Sequence, residues 1–276
     1  MVTISHDVDA FLALASEFLM EHEVENAMLI SAPQIYRTVA PPYPWLAVSF
    51  DGSQVTGVAI RTSVTHRLLF SVVSEPGLRE LVRAAEKAGL AGNGFVSSLA
   101  QFELLMSEFS LPLAVRQRLG LYQLSAVKHP IGVSGAARLA TDTDLELLTD
   151  WIIAFGIEVD GSAPERAGVR TWIESRFSAQ GLLIWEDSGE VVSVANITGK
   201  TPNTMRINAV YTPPERRGRG YASACVAMAS QRVLDSGHRY ATLFTDLSNP
   251  TSNHIYQSIG YEWVGEFVQT APKLTP

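Results

Sequence analysis

Apolar and polar residues in the second half of the chain change rhythm several times, and each rhythm predicts an element. From Thr204 to Thr212, Met205, Ile207, Ala209 and Tyr211 alternate with Arg206, Asn208 and Val210, the two-residue period of a strand. Ala222, Cys225, Ala229 and Val233 then recur at helical spacing and predict a helix with one small-residue face. "LLIWED" and "EVVSVANITG" read as strands joined by a tight turn at Asp187 to Gly189. "YATLF" reads as a buried strand, "NPTSNHIYQSI" as a short helix and "YEWVGEFVQ" as a last strand. Upstream, Thr141 and Asp144 offer a capping box for a helix to about Val159, and "SAPERAGVRTWIESRF" a second helix with Pro164 near its start.

The first half can be read in the same order. Two helices, at about Asp7–Met20 and Glu23–Ile30, precede strands at "WLAVSF", "QVTGVAIRTSV" and "RLLFSVV". A helix at Gly77–Lys87, a short extended piece near Phe95, a helix at Ser98–Phe109 and a strand "LGLYQLSAV" follow. Pro130, Gly132 and Gly135 break regular structure between the halves. The chain therefore reads as two tandem copies of one α/β unit, 1–128 and 136–276, joined by a linker at 129–135. Between its third strand and the next helix the first copy has only "SEPGL", where the second has "PPERRGRGYASA". The first copy is expected to bind no phosphate.

Composition narrows the function classes. A net charge of -7 leaves no basic surplus for nucleic acid. The lone Cys225 allows no intrachain disulfide and fits a reducing cytoplasm. Asp7, Asp9 and Glu17 are unlike a signal peptide, and no apolar run reaches the ~18 residues of a membrane span. The histidines show no metal-ligand spacing, so no metal site is expected.

The segment Pro213–Ala224 is the chemical centre of the sequence. It lies between a strand and a helix, where the first amides of the helix lack partners and the helix dipole adds positive charge. A phosphate can accept from those amides. Gly218 and Gly220 permit positive φ, and Arg216, Arg217 and Arg219 supply charge. A solvated basic turn is the alternative use of the same residues.

Arg217, Gly218, Arg219, Gly220, Tyr221 and Ala222 match the (Arg/Gln)-x-x-Gly-x-(Gly/Ala) signature of the GNAT acyl-CoA N-acetyltransferases. "NPTSNHIYQSIGY" resembles that family's Asn-x-x-(Ala/Ser)-x-x-x-Tyr-x-x-x-Gly-(Phe/Tyr) motif, and "AVYTPPE" its fourth strand and turn. The likeness covers roughly Ala137 to Gln269. The whole chain also resembles bacterial two-lobed members whose N-terminal lobe is a degenerate copy. The resemblance implies an α/β (α+β) fold of tandem lobes, each a mixed, mostly antiparallel twisted sheet flanked by helices. It implies acetyl-CoA between splayed fourth and fifth strands, with the diphosphate on Arg217–Ala222. The pantetheine would pair with backbone at Val210, Tyr211 and Thr212, the Val210 amide serving as oxyanion donor. Asn249 would contact the cofactor and Tyr256 would lie near its sulfur.

Asn249 before Pro250 is equally an N-cap, and Tyr256 equally a core aromatic. His254 falls on the opposite face from Tyr256 and reads as solvated. Cys225 among alanines reads as a small core residue. The general base has no evident candidate early on the fourth strand, where Thr204, Arg206 and Asn208 stand. Glu158 and Asp160, in the loop that borders the acceptor in the family, and Asp246 after the fifth strand are the carboxylates left, each with a bland use as surface or turn residue. "PPYPWLAVSF" at Pro41–Phe50 could wall an acceptor pocket or simply turn into a strand.

The expected activity is transfer of an acetyl group to an amine by direct attack, in the cytoplasm, on a small-molecule or peptide acceptor. No nucleic-acid or membrane partner is expected, and a homodimer is compatible. A silent CoA-binding or sensing module, or a longer-chain acyltransferase, stays open. Lack of a base would suit an amine of low pKa, because deprotonating a lysine-like amine at pH 7 costs roughly 4.6 kcal/mol against about 1.4 for an α-amine.

Overall fold

The computed structural model describes residues 1–37, 43–72 and 74–273, the side chain of Asp160 excepted. The elements run β1 (Val2–Ser5), α1 (Val8–Met20), α2 (Glu23–Ile35), β2 (Trp45–Asp51), β3 (Gln54–Arg61), β4 (Leu68–Phe70), α3 (Glu75–Lys87), β5 (Phe95–Ser98), α4 (Leu99–Glu108) and β6 (Leu113–Leu124). The second half repeats that order as β7 (Ala136–Leu139), α5 (Leu145–Asp160), α6 (Arg166–Ser178), β8 (Leu182–Asp187), β9 (Glu190–Thr198), β10 (Thr204–Tyr211), α7 (Tyr221–Asp235), β11 (Tyr240–Asp246), α8 (Pro250–Ser258) and β12 (Glu262–Pro272).

Local chemistry sets several boundaries. Asp7 caps α1 through the amides of Asp9 and Ala10. The Thr141–Asp144 capping box is present, closing a short 3-10 turn that leads into α5. Pro164 lies just outside α6, which Glu165 caps through the amides of Ala167 and Gly168. On the second half of the sheet, α7 covers one face with Ala224, Cys225, Ala229 and Val233 packed on Leu183, Ala195, Ile207 and Leu243. From α5 and α6, Leu148 and Ile173 cover the other face with Leu182, Ile184, Val194 and Tyr211.

Two edge strands were not foreseen, β1 and β7, and β6 starts at Leu113 rather than near Leu119. The larger difference is in pairing. The halves share a single sheet of twelve strands among the described residues, ordered β1-β2-β3-β4-β5-β12-β6-β11-β10-β9-β8-β7. Read from either edge, five strands of one half are completed by the last strand of the other. β12 pairs with β5 and β6 pairs with β11, and β6 and β12 pair with each other through the centre. The last strands are therefore exchanged between the halves. The first half packs Phe70, Phe95, Phe102 and Phe109 against one another beside α3, with Phe95 and Phe109 stacked at 5.3 Å.

Candidate functional site

β10 and β11 run parallel, but their register covers only Thr204↔Tyr240 to Arg206↔Thr242. Beyond Arg206 the two strands carry no further pairing, and the register of β10 with β9 shifts between Asn208 and Tyr211. Ala209 sits there at φ 46°, a conformation that costs a non-glycine residue about 1 kcal/mol or more. The shift takes Ala209 and Val210 out of the ladder with β9, which Tyr211 rejoins opposite Val194, and the sheet opens toward β11 at the C-terminal end of its parallel pair. Thr212 is fixed by Oγ1 donating to Ser193 Oγ at 2.9 Å, and the Tyr211 carbonyl accepts from Ser193 at 3.2 Å.

Directly above the opening lies the basic loop. Gly218 and Gly220 take φ 75° and 81°. At Gly218 a Cβ would meet open space, whereas at Gly220 it would fall 2.8 Å from Val133. Gly220 is the N-cap of α7, and the first helical bond runs from Ala224 N–H to the Gly220 carbonyl. The amides from Gly218 to Ser223 thus stay outside the helical ladder. Tyr221 turns inward, its hydroxyl donating to Asp187 at 2.6 Å, which anchors the loop to the β8–β9 turn. These features fit an anion of diphosphate type: glycines that let backbone approach, a row of amide donors and a helix N-terminus.

The arginines are not used as expected. Arg216 pairs with Glu190. Arg217 donates from Nε to the Thr212 carbonyl at 2.8 Å and from Nη2 to both Glu158 oxygens at 2.8 and 2.9 Å, its guanidinium lying 5.7 Å over the Tyr211 ring. Only Arg219 of the three has no ion pair among the described residues. Glu158, the expected candidate base, is therefore the counter-ion of the loop. Asp160 lies outside the described side chains, and Pro41 and Pro42 of the expected aromatic wall lie outside the described residues.

Asp246 ends β11 and caps the turn after it, accepting from the Ser248 amide and hydroxyl at 2.7 Å and from Gln117 of β6 at 2.8 Å. Burial pulls its carboxyl up, but those bonds outweigh burial and hold it below the usual range, which makes it a poor proton acceptor. Asn249 caps α8, its Oδ1 accepting from Ser252 N–H at 3.1 Å. Tyr256 is buried on α8 with its ring 6.0 Å from that of Tyr261, and burial pushes its phenol up to about 12. Cys225 is core, as expected, its thiol pushed up to about 12 by burial. His254 is exposed. A cleft of about 690 Å³ lies elsewhere, lined by Leu183, Ile197, Met205, Met228 and Val233 on the α7 side, and it takes in none of these residues. No group of metal-ligating side chains occurs among the described residues.

What sequence reasoning passed over is the floor of the opposite face. Asn196 and Thr198 on β9 pair in register with Asn208 and Arg206 on β10, so all four side chains point toward α5 and α6. Arg176 of α6 reaches this floor and donates to Thr198 Oγ1 at 3.2 Å. The signal available in the sequence was an arginine at an inward position of a strand.

Residues 145–261 match the model of the acetyltransferase (GNAT) family. No curated protein matches the sequence. Solved structures match along the full length. An acetyltransferase from the GNAT family from Colwellia psychrerythraea is 11% identical with a TM-score of 0.62, over 99% of this chain and 100% of that one. A GCN5-related N-acetyltransferase from Sphaerobacter thermophilus is 13% identical with a TM-score of 0.64, over 98% and 95%. A tandem GNAT protein from the clavulanic acid biosynthesis pathway is 11% identical with a TM-score of 0.61, over 100% of each chain. At these identities the likeness is one of fold.

Proposed function

We propose, for a chain that belongs to the GNAT superfamily through residues 145–261, that the acyltransfer characteristic of this family is here the transfer of an acetyl group from acetyl-CoA to an amine. The observation that carries the proposal is the parting of β10 and β11 beneath a helix N-terminus whose first amides lie outside the ladder. An extended thiol arm fits such an opening, and a diphosphate fits such a terminus.

The thioester, when bound, supplies the acyl group and a thiolate leaving group. Gly218, Gly220 and the amides through Ala222 hold the diphosphate, with Arg219 free to add charge. Val210, Tyr211 and Thr212 line the arm, and the Val210 amide serves as donor to the thioester oxygen. Asn249 shapes the start of α8 and so sets the position of Tyr256. The Tyr256 hydroxyl donates a hydrogen bond to the leaving sulfur. Full proton transfer from a phenol at about 12 to a thiolate near ~8.5 is uphill by about 5 kcal/mol, so the hydrogen bond, rather than the transfer, is its contribution. Cys225 is sealed in the core with a raised pKa and offers no nucleophile, in keeping with direct attack by the amine.

With Glu158 held by Arg217 and Asp246 held in its turn, the acceptor is an amine that is partly neutral at working pH, or one whose proton leaves through water. Isothermal calorimetry with CoA, followed by a thiol-release assay across amines of graded pKa, tests the reading. Binding plus release that rises as amine pKa falls is the expected result. Absence of CoA binding overturns it. Binding with no release from any amine makes the chain a CoA-binding module instead.

A further inference from the structure

Five buried side-chain N or O atoms lack a hydrogen-bond partner among the described residues, and three of them cluster: Arg176 Nε, Asn196 Oδ1 and Arg206 Nη1. The clustering follows from register. Arg206 is directly opposite Thr198, Arg176 bonds Thr198, and Asn196 lies two residues back on the same face with its Nδ2 donating to Asn208 Oδ1 at 2.7 Å. Two guanidinium groups thus flank one threonine. Neither has a carboxylate partner among the described residues, and burial lowers the pKa of both, that of Arg206 to about 10. Buried charges are ordinarily paired, since removing a cation from water is costly.

The first half closes the other side of this floor. A Cβ on Gly199 would lie 3.3 Å from Ser31 Oγ of α2 and 3.7 Å from Arg206 Cζ, so serine and guanidinium face each other across that glycine. Tyr36, just past α2, interacts electrostatically with Arg176. Glu23, the carboxylate at the start of α2, is engaged by Thr201 Oγ1 and by the amide and side chain of Asn203. Arg176 and Arg206 are each only half-buried as residues, although the unpartnered nitrogens themselves are buried.

We propose that Arg176 and Arg206 form an anion-binding subsite between the two halves, and that the acceptor is an amine bearing a carboxylate or a phosphate which lodges there. Two forked donors beside the same Thr198–Gly199 segment suit a multidentate oxyanion. Arg206 precedes Val210 by four residues on β10, about 13 Å at strand rise, so the anionic group and the reacting amine are several bonds apart. The acceptor part of the proposal rests on the acyl-transfer reading above, whereas anion binding stands without it.

The test pairs a binding with a turnover measurement on the full chain. Thermal shift is recorded with acetate and with inorganic phosphate for the parent protein and for Arg206→Met, Arg176→Met and Arg206→Lys. One of the two anions should raise the parent Tm, the methionine variants should lose that shift, and Arg206→Lys should keep part of it. Without added anion, the methionine variants should melt no lower than the parent, because an unpaired buried charge has been removed. In thiol release, amines ending in the preferred anion should exceed their neutral esters at least 100-fold in kcat/KM, and Arg206→Met should bring that ratio near one with CoA affinity unchanged. Equal shifts in parent and Arg206→Met overturn the subsite and leave acyl transfer standing, whereas equal turnover of anionic and neutral amines overturns its role in holding the acceptor. An anion shift that depends on Arg206 while no amine turns over removes the acyl-transfer reading and leaves the subsite.

Discussion

At the scale of single residues, the site is governed by which polar groups have partners. Tyr256 is the case where burial sets the chemistry. Its phenol is held near 12 because the charged form is disfavoured in the apolar core it shares with α7 and Tyr261, so it stays protonated throughout the accessible pH range. Tyr256→Phe should lower kcat by roughly 10- to 100-fold, about 1.4 to 2.7 kcal/mol, with little change in KM for the acyl donor. The parent pH–rate profile should show no alkaline descent below about pH 10 that disappears in Tyr256→Phe. A descent near pH 9 lost in the variant would mean that Tyr256 titrates there and is not the buried donor described. Much of this scale was legible: the glycine positions, the Asn249 cap, the inert Cys225 and the solvated His254 follow from spacing and residue type. The Arg217–Glu158 pair was not, because it joins residues 59 positions apart in the chain. Nor was the Arg176–Arg206 cluster, which exists only once α6 is laid across two paired strands.

At the scale of elements, the join from β7 to α5 is the point where one carboxylate does several jobs. Asp144 is 6% exposed, accepts from the Thr141 amide at 2.8 Å, and takes two bonds from Arg138 of β7 at 2.8 and 2.9 Å. Burial pulls its carboxyl up, but the bonds from Arg138 and Thr141 outweigh burial and leave it below the usual range. A depressed carboxylate stabilises the fold above its unfolded pKa of about 4 and loses that contribution as pH falls through the folded value. Asp144→Asn should therefore cost about 2 to 3 kcal/mol in urea unfolding at pH 6 to 8, and the gap to the parent should shrink below pH 4. A gap that is the same at pH 3 and pH 7 would show that packing, not charge, is what the variant loses. The capping box could be read from Thr141 and Asp144 alone. β7 could not, since "AARL" is too short to establish a period, and the same holds for "VTIS" at the opposite edge. The early start of β6 was hidden by Arg116, Gln117 and Arg118, whose polarity reads as loop until β12 is seen to pair with Gln117 and Arg118.

At the scale of the whole molecule, the exchange of β6 and β12 decides what each half can do alone. The repeat of element order was visible along the chain, but strand exchange leaves no local mark, since either partner satisfies the same alternation. Its consequence is that the opening between β10 and β11 is backed by a strand from the other half, and Gln117 of that strand holds Asp246. The central ladder runs from Glu262↔Gln123 to Pro272↔Leu113, and Gly120 within it has no room for a side chain, where a Cβ would lie 2.7 Å from Trp263. Separating the halves would strip β11 and β5 of one neighbour each and expose unpaired edges on both. The two halves should then unfold as one unit, although Trp45 and Trp185 report on cores far apart in sequence. Variants retaining only Trp45 or only Trp185, followed by fluorescence in guanidinium chloride, should share one midpoint and one slope. Midpoints that differ reproducibly would mean that each half holds its own fold after the exchanged strands let go. In that case the shared sheet would be a docking arrangement, and the seam where Ser31 and Tyr36 meet Arg206 and Arg176 could open without unfolding either side.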